Sequence, residues 1–126
     1  MTARDFEQLV RDAKTRIREV DAATARARHD ANACTFLDVR EPFELARGGG
    51  TVPGAVHVPL GALVARAKDA LPPAATPIVV LCEHGNRSAL AADALTRMGW
   101  SAVESLAGGW QAWAIAGHPR GLPAGA

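Results

Sequence analysis

The sequence predicts an α/β domain with a mainly parallel central sheet. Short apolar segments that are typical of buried strands alternate along the chain with segments in which apolar residues recur at helical spacing. The clearest strand is 78–81, four apolar residues after Pro77, and the clearest helix is 88–98, which Gly99 ends. Parallel sheets of this kind bind ligands beyond the carboxyl ends of their strands.

Length and composition are those of one ordinary globular domain. The 126 residues are 48% apolar and 21% charged, which allows a single hydrophobic core. The formal net charge is +1 and charges of both signs are interspersed, so we expect no nucleic-acid partner. The first residues lack the apolar segment of a signal peptide or membrane span, which favours a cytoplasmic protein without a membrane partner.

The first third of the chain is expected to form two helices and two strands. Apolar residues at helical spacing predict a helix over 3–16, and Asp21 is a good N-cap for an alanine-rich helix. Segment 34–39 is apolar and β-branched, as in a buried strand whose carboxyl end leads into a charged loop. In chain order, the predicted elements are the helix 3–16 with Phe6, Leu9, Val10 and Ala13 on one face, a strand at 17–20, a helix from Asp21 to about Arg28, the strand 34–39 and a short helix beginning at Pro42.

Glycines and prolines shape the rest of the chain. Those at 48–54 predict an irregular turn, because glycine permits positive φ and proline restrains its own φ. The tail from Pro119 has the composition of a frayed end. The predicted elements are a strand at 55–58, a helix at 60–70, the strand and helix described above, a strand at 102–106 and a short helix that opens at Gly108 and Gly109.

The candidate chemistry lies in segment 82–88, which reads Cys-Glu-His-Gly-Asn-Arg-Ser. It separates the predicted central strand from a helix, where backbone N–H groups can converge into an anion-binding nest. Such a nest, with the Arg87 cation nearby, stabilises a thiolate at Cys82, and Gly85 permits the tight curl. The same donors can hold a persulfide without a metal or an organic cofactor, so Cys82 and Arg87 are the candidate catalytic residues.

Blocks of residues along most of the chain form one recognisable pattern. They are Leu37-Asp-Val-Arg-Glu-Pro42 with Glu44, Pro53-Gly-Ala55 followed by Pro59-Leu60, Val79-Val-Leu-Cys82 with Gly85, Arg87 and Ser88, then Ala91, Leu95 and Gly99, and finally Val103, Leu106, Gly108-Gly109, Trp113, Gly117 and Pro119. From about Ile17 to Pro119 this pattern resembles the rhodanese domain. The resemblance implies a three-layer rhodanese-like fold, with helices on both faces of the sheet, and a sulfurtransferase in which Cys82 carries a persulfide.

The resemblance also implies the site and its ligands. Asp38 and Arg40 are expected close beneath the loop as supporting residues. The substrates would be a small-molecule sulfur donor, such as thiosulfate or a persulfide, and a thiol or cyanide acceptor, with a protein persulfide as a further possible partner. The implied pocket consists of the backbone of Glu83, His84, Gly85, Asn86, Arg87 and Ser88 together with the Arg87 side chain.

Three segments follow from the extent of the resemblance. We expect an N-terminal helical extension at 1–16, a rhodanese-like domain at 17–119 and a C-terminal tail at 120–126. The extension either caps the domain or mediates dimer contacts, so the protein is expected to be a monomer or a homodimer. No metal or cofactor is expected.

The chain departs from the family at two positions. Thr51 stands where many members have a histidine before Pro-Gly-Ala, so any role of that histidine is absent. Glu83 places a carboxylate next to the nucleophile, which opposes a dianion such as thiosulfate, while His84 could partly offset it. The identity of the sulfur donor stays open.

Several other residues have a structural interpretation beside the functional one. Cys34, at the head of a predicted strand, is expected in the core rather than as a resolving thiol. Asp38 and Arg40 can form an ion pair that supports the loop from below, and His84 either binds the donor or points to solvent. Trp100, Trp110 and Trp113 are expected to pack rather than to form a stacking platform. His57 and His118 are interpreted as ordinary loop or strand residues rather than metal ligands.

Two further functions compete with sulfur transfer. A cysteine phosphatase or arsenate reductase of related fold has five residues between cysteine and arginine, whereas four separate Cys82 from Arg87. The shorter loop suits a single sulfur atom better than a phosphoryl group. The other alternative is a catalytically silent rhodanese module that binds proteins, although such modules commonly lack the cysteine that this chain retains.

Overall fold

A five-stranded parallel sheet forms the centre of the structure, a computed structural model that describes residues 2–125. Its strands lie in the order β1-β5-β4-β2-β3, and every neighbouring pair is parallel. The strands are β1 (Arg18–Val20), β2 (Thr35–Asp38), β3 (Val56–His57), β4 (Ile78–Leu81) and β5 (Val103–Leu106). The helices are α1 (Phe6–Lys14), α2 (Ala22–Asp30), α3 (Pro42–Arg47), α4 (Leu63–Ala70), α5 (Asn86–Met98) and α6 (Gly109–Ile115).

Successive residues of β4 face opposite sides of the sheet, and both sides are covered. Ile78 and Val80 pack in one core cluster with residues of α4 and α5, whereas Val79 and Leu81 pack in the other with residues of α2 and α6. A strand buried on both faces has no polar alternation, which explains why β4 is uniformly apolar. The predicted three-layer α/β fold is confirmed.

The predicted elements are present, with shifted ends. β2 begins at Thr35, so Cys34 lies just outside the strand and is only half-buried. The predicted helix at 60–70 starts as a 3₁₀ turn over Leu60–Ala62 and becomes α-helical at Leu63. Trp100, Trp110 and Trp113 are buried, as expected for packing residues.

Helix α1 packs on α5 through part of its apolar face. Val10 and Ala13 are buried, and the Arg16 guanidinium donates two hydrogen bonds to the Asp93 carboxylate of α5. Phe6 and Leu9, which the helical spacing places on the same apolar face, are 49% and 45% exposed. They remain exposed because α1 packs mainly against the single helix α5, which covers only a narrow stripe of that face.

The C-terminal tail is paired with the glycine-rich turn. Thr51 and Gly121 exchange two backbone hydrogen bonds as an isolated antiparallel bridge. Gly54 N–H donates to the Leu122 carbonyl, and Ala124 N–H donates to the Ala55 carbonyl. The expectation of a frayed end was therefore wrong for these residues, because the turn offers backbone partners that composition does not show.

Within residues 2–125, none of the helices combines the length and the apolar character that a membrane crossing requires.

Candidate active site

Cys82 lies directly after the carboxyl end of β4 and is 1% exposed. Its Sγ accepts hydrogen bonds from the backbone N–H groups of Gly85, at 3.1 Å, and Ser88, at 3.3 Å. The Ser88 hydroxyl lies 3.4 Å from the same sulfur and 2.8 Å from the Ser105 hydroxyl. The sulfur is thus surrounded by hydrogen-bonding groups at the start of α5, where the helix dipole also favours negative charge.

Gly85 and α6 together give the loop its shape. Gly85 has φ of 103°, in the left-handed region that glycine adopts at little cost, and it directly precedes α5. At the start of α6, the N–H groups of Trp110 and Gln111 donate to the carbonyls of Cys82 and Glu83, at 2.8 and 3.1 Å. Because these carbonyls are held by α6, the amides of the loop are left to converge on Sγ.

The close approach of α6 depends on Gly109. Its φ is 58°, and a Cβ built there would lie 2.4 Å from the Cys82 carbonyl oxygen and 2.6 Å from that of Glu83. No side chain fits in this space. Gly109 therefore permits the contact by which α6 holds the loop.

Arg87 pairs with a carboxylate of the protein itself. Its two terminal nitrogens donate to the two Glu44 oxygens at 2.6 and 2.7 Å, a bidentate ion pair between α5 and α3. The Arg87 hydrogen bonds lower the pKa of Glu44 to about 2, and the Glu44 hydrogen bond raises the pKa of Arg87. The Arg87 cation, which was expected to stabilise a thiolate at Cys82, is therefore already paired with the Glu44 carboxylate.

Asp38 and Arg40 form a buried ion pair next to the loop. Both side chains are fully buried, with 2.9 Å between Arg40 Nη2 and Asp38 Oδ2. Arg40 also donates to the Gly50 carbonyl at 2.9 Å and lies 3.4 Å from the Glu83 carboxylate. The Thr51 hydroxyl donates to the Asp38 carboxylate at 2.7 Å. Thr51, which stands where many family members have histidine, therefore supports the ion pair in this chain.

The remaining predicted pocket residues face outward. His84 is exposed, with its Nδ1 2.9 Å from the amide oxygen of Gln111, and Asn86 is exposed at the first turn of α5. The Glu83 side chain is 25% exposed. These side chains form the rim of the loop, while the inner donors are backbone amides.

Cys34 is remote from this site. It precedes the amino end of β2, whereas Cys82 follows the carboxyl end of β4, and β2 and β4 are parallel and in register from Thr35 to Asp38. A four-residue strand spans about 13 Å, so the two cysteines lie at opposite ends of these neighbouring strands.

Within residues 2–125 no three His, Cys, Asp or Glu side chains are grouped as metal ligands.

The family is decided by comparison with known proteins. The model of the family described as "Rhodanese-like domain" matches residues 21–116. The chain belongs to this family. The matched segment includes the whole Cys82 loop, both partner residues Glu44 and Thr51, and all of α6, so the features described above lie within the rhodanese-like domain.

Relatives of this rhodanese-like chain include proteins named sulfurtransferases. A sulfurtransferase of Allochromatium vinosum is 31% identical over 110 residues, which are 86% of this chain and 99% of that protein. The adenylyltransferase and sulfurtransferase UBA4 of Meyerozyma guilliermondii is 35% identical over 99 residues. That match covers 68% of this chain and 22% of the larger protein.

Solved structures share the fold over more than nine-tenths of the chain. A protein of unknown function from Rhodopseudomonas palustris, described as a possible tyrosine phosphatase, has a TM-score of 0.83 and 28% identity over 96% of this chain and 97% of that one. The homodimeric polysulfide-sulfur transferase of Wolinella succinogenes has a TM-score of 0.78 and 27% identity over 93% and 87% of the two chains.

Sequence reasoning on this rhodanese-like domain missed the residues that hold the loop from outside. Glu44 was noted only as part of the resemblance, and Thr51 only as a departure from it. Ser105 was given no role, and Gly109 was noted only within the resemblance and as the opening of a short helix. Their partners come from other elements, so local sequence offered no signal beyond a small polar residue in β5 and a double glycine before α6.

Proposed function

We propose that this protein is a sulfurtransferase that carries a sulfane sulfur as a persulfide on Cys82. One observation supports this above the others: the Cys82 sulfur lies in a nest of two backbone N–H donors and the Ser88 hydroxyl. A persulfide bears its negative charge on the outer sulfur, and such a nest stabilises that charge with charge-assisted hydrogen bonds.

The reaction has two half-reactions. The Cys82 thiolate attacks the outer sulfur of a donor, the bond between that sulfur and the rest of the donor breaks, and the remainder leaves with the electron pair. An acceptor thiolate or cyanide then attacks the outer sulfur of the persulfide and regenerates the Cys82 thiolate. The thiolate needs no general base. Double-reciprocal plots of the initial rate, with both substrates varied, should give parallel lines, as in ping-pong kinetics.

The loop residues have distinct roles in this proposal. The backbone N–H groups of Gly85 and Ser88 hold the reacting sulfur. The Ser88 hydroxyl lies between this sulfur and the Ser105 hydroxyl and can form a hydrogen bond with either. Glu83, His84 and Asn86 form the rim that meets donor and acceptor. Arg87 acts on the charge of the site from its ion pair with Glu44, and the Asp38 and Arg40 pair supports the loop.

A cysteine phosphatase is the second candidate, because one structural relative is described as a possible tyrosine phosphatase. Two features of this chain disfavour it. Only four residues separate Cys82 from Arg87, and both terminal nitrogens of Arg87 are bonded to Glu44 rather than directed at an oxyanion. We therefore expect no turnover of an aryl phosphate. Turnover that disappears in Cys82→Ser would instead establish the phosphatase.

A silent binding module is the third candidate, and it differs from the enzyme in the reactivity of Cys82. A module without catalysis would keep an unmodified cysteine in the presence of sulfur donors. The intact nest around Sγ gives no reason for such inertness.

The deciding experiment is intact mass spectrometry of the wild type, Cys82→Ser and Cys34→Ser after incubation with thiosulfate and, separately, with a thiol persulfide. We expect a gain of about one sulfur on the wild type and on Cys34→Ser, removed by cyanide, and none on Cys82→Ser. A gain that persists in Cys82→Ser, or no gain with either donor, would contradict the proposal.

A further inference from the structure

We propose that the loop takes its sulfur from a persulfide of low charge rather than from the dianion thiosulfate, and that Glu83 and Glu44 make this selection. The inference rests on the sulfurtransferase function proposed above and specifies its donor. These carboxylates pair with the two arginines of the site, Glu44 with Arg87 and Glu83 with Arg40, so that an anionic donor meets no unpaired guanidinium there.

Arg87 is the first occupied cation. It is the arginine of the loop itself, yet its terminal nitrogens lie 2.6 and 2.7 Å from the Glu44 oxygens. The Glu44 carboxylate is 7% exposed and also accepts the backbone N–H of Glu41 at 2.9 Å, so it is held in place independently of Arg87. A donor anion would have to displace a preformed bidentate ion pair to reach this guanidinium.

Arg40 is the second occupied cation. It is fully buried, so a donor cannot touch it, and it is bonded to Asp38 and to the Gly50 carbonyl. Its Nη1 also lies 3.5 Å from the Glu44 carbonyl oxygen and 3.4 Å from the Glu83 carboxylate. Glu83 itself is 25% exposed and adjoins Cys82 in the chain, so the accessible charge of this network is negative.

The site consequently holds two guanidinium cations against three carboxylates before the Cys82 thiolate is counted. The hydrogen bond with Glu44 raises the pKa of Arg87, and the nearby Cys82 and Glu83 act on it in the same direction. Like charges raise the energy of an approaching anion in proportion to its charge. Thiosulfate brings two negative charges, whereas a protonated persulfide brings none at its reacting end.

The burial of Cys82 increases the difference. With Cys82 only 1% exposed, only the outer sulfur of a donor can enter the nest, and the rest of the donor stays at the rim beside Glu83. For thiosulfate this remainder is the sulfonate that leaves as sulfite. For a persulfide R–S–SH it is a thiol sulfur that leaves as R–S⁻.

The persulfide step balances without another reactant. The Cys82 thiolate attacks the outer sulfur of R–S–SH, a new sulfur–sulfur bond forms, and the bond to R–S breaks with its electron pair. The proton stays on the transferred sulfur during this step, giving Cys–S–SH and R–S⁻, with one negative charge on each side. Loss of that proton to solvent or to R–S⁻ then gives the Cys–S–S⁻ anion that the nest stabilises. The same step with thiosulfate gathers three negative charges at the loop.

The test compares donors of graded charge by the initial rate of sulfur gain on Cys82, followed by intact mass. The donors are the persulfide of cysteamine, whose ammonium group offsets its sulfur charge, the persulfide of 2-mercaptoethanol and thiosulfate. Rates are measured for the wild type, Glu83→Gln and Glu44→Gln at low and high salt. Asp69→Asn, which removes an exposed carboxylate on α4 remote from the loop, is the matched control.

We expect the wild-type rate to fall from the cysteamine persulfide to thiosulfate. Glu83→Gln should raise the thiosulfate rate by about tenfold and the cysteamine persulfide rate by less than about twofold, and Glu44→Gln should act in the same direction. Salt should raise the wild-type thiosulfate rate more than that of Glu83→Gln. Asp69→Asn should match the wild type.

Three results would overturn the inference, and they differ in what else they overturn. Thiosulfate as the fastest donor of the wild type, or equal effects of Glu83→Gln on all three donors, would refute the donor selection and leave the sulfurtransferase intact. No sulfur gain on Cys82 from any donor would refute both proposals together.

Discussion

The Arg87 guanidinium and the Glu44 carboxylate face each other with both nitrogen–oxygen pairs at 2.6 and 2.7 Å. The contact joins α5, which begins in the Cys82 loop, to α3, which follows β2. One ion pair thus links the two loops at the carboxyl ends of neighbouring strands β4 and β2. Breaking this ion pair should therefore change both the free energy of unfolding and the rate of sulfur transfer to Cys82.

Removing one member of this pair should cost more than removing both. Arg87→Met leaves the Glu44 carboxylate buried without its cation, and we expect a loss of about 2 kcal/mol in the free energy of unfolding. The double variant Arg87→Met with Glu44→Leu should recover part of that loss. Urea denaturation of the wild type, Arg87→Met, Glu44→Leu and the double variant measures the coupling energy between the two side chains. A coupling energy near zero would contradict the buried character of the pair.

The same pair predicts a dependence of stability on pH. Arg87 holds the pKa of Glu44 at about 2, below its ordinary value of 4.5, so the folded state favours the ionised form. This contribution is complete above about pH 4.5 and disappears as the pH falls through about 2. The free energy of unfolding of the wild type should therefore fall more steeply than that of Glu44→Gln between these values. Parallel curves in acid titration would contradict it.

Gly109→Ala should damage the Cys82 loop. The new Cβ would overlap the carbonyls of Cys82 and Glu83, so α6 must move away and release them. We expect a loss of about 2–4 kcal/mol in unfolding free energy and a slower sulfur gain on Cys82. Gly117→Ala is the matched control, since Gly117 also has positive φ but open space around it. Equal effects of the two substitutions would show that backbone strain alone is responsible.

Cys34 should take no part in the reaction. Burial raises the pKa of its thiol, which disfavours the reactive thiolate at neutral pH. Cys34→Ser should therefore gain and release sulfur at the wild-type rate, and alkylation of Cys34 by iodoacetamide should be slow at pH 7 and faster above pH 9. A mixed disulfide between Cys34 and Cys82 in peptide mapping would contradict this prediction.

The C-terminal tail should stabilise the turn that contacts the site. A chain ending at Pro119 loses the four backbone hydrogen bonds that join 121–124 to 51–55. We expect a loss of about 1–3 kcal/mol in unfolding free energy and faster amide exchange around Thr51. A chain ending at Ala124 keeps these bonds and should behave like the wild type. Unchanged exchange in the shorter chain would show that the turn is held by other contacts.

The sequence predicted the strands and helices well where the local pattern is unambiguous. The apolar run at β4, the N-cap Asp21 and the glycine after α5 each act within a few residues, and the structure has the expected element at each place. For α1 the spacing showed which apolar residues share a face, but not that Phe6 and Leu9 would stay exposed, because spacing does not show how much of a face a neighbour covers.

The candidate site divides in the same way. The curl of the Cys82 loop depends on residues within it, above all Gly85, and it was predicted from the sequence. The partner of Arg87 was not, because Glu44 is 43 residues earlier in the chain and reaches it only through the pairing of β2 with β4. An arginine at the start of a helix signals a nearby anion, but not whether that anion is a substrate or a carboxylate of the protein.

By itself, the sequence determined the α/β alternation, the position of Cys82 at a strand end and the curl that Gly85 permits in its loop, because these depend on periodicity, glycine and chain direction over short distances. Only the tertiary structure decided that Arg87 is bonded to Glu44, that the buried Arg40 also lies against Glu83, and that Gly109 lets α6 hold the loop. These contacts join residues from different elements. Their energies depend on burial and distance, which exist only once the sheet has formed.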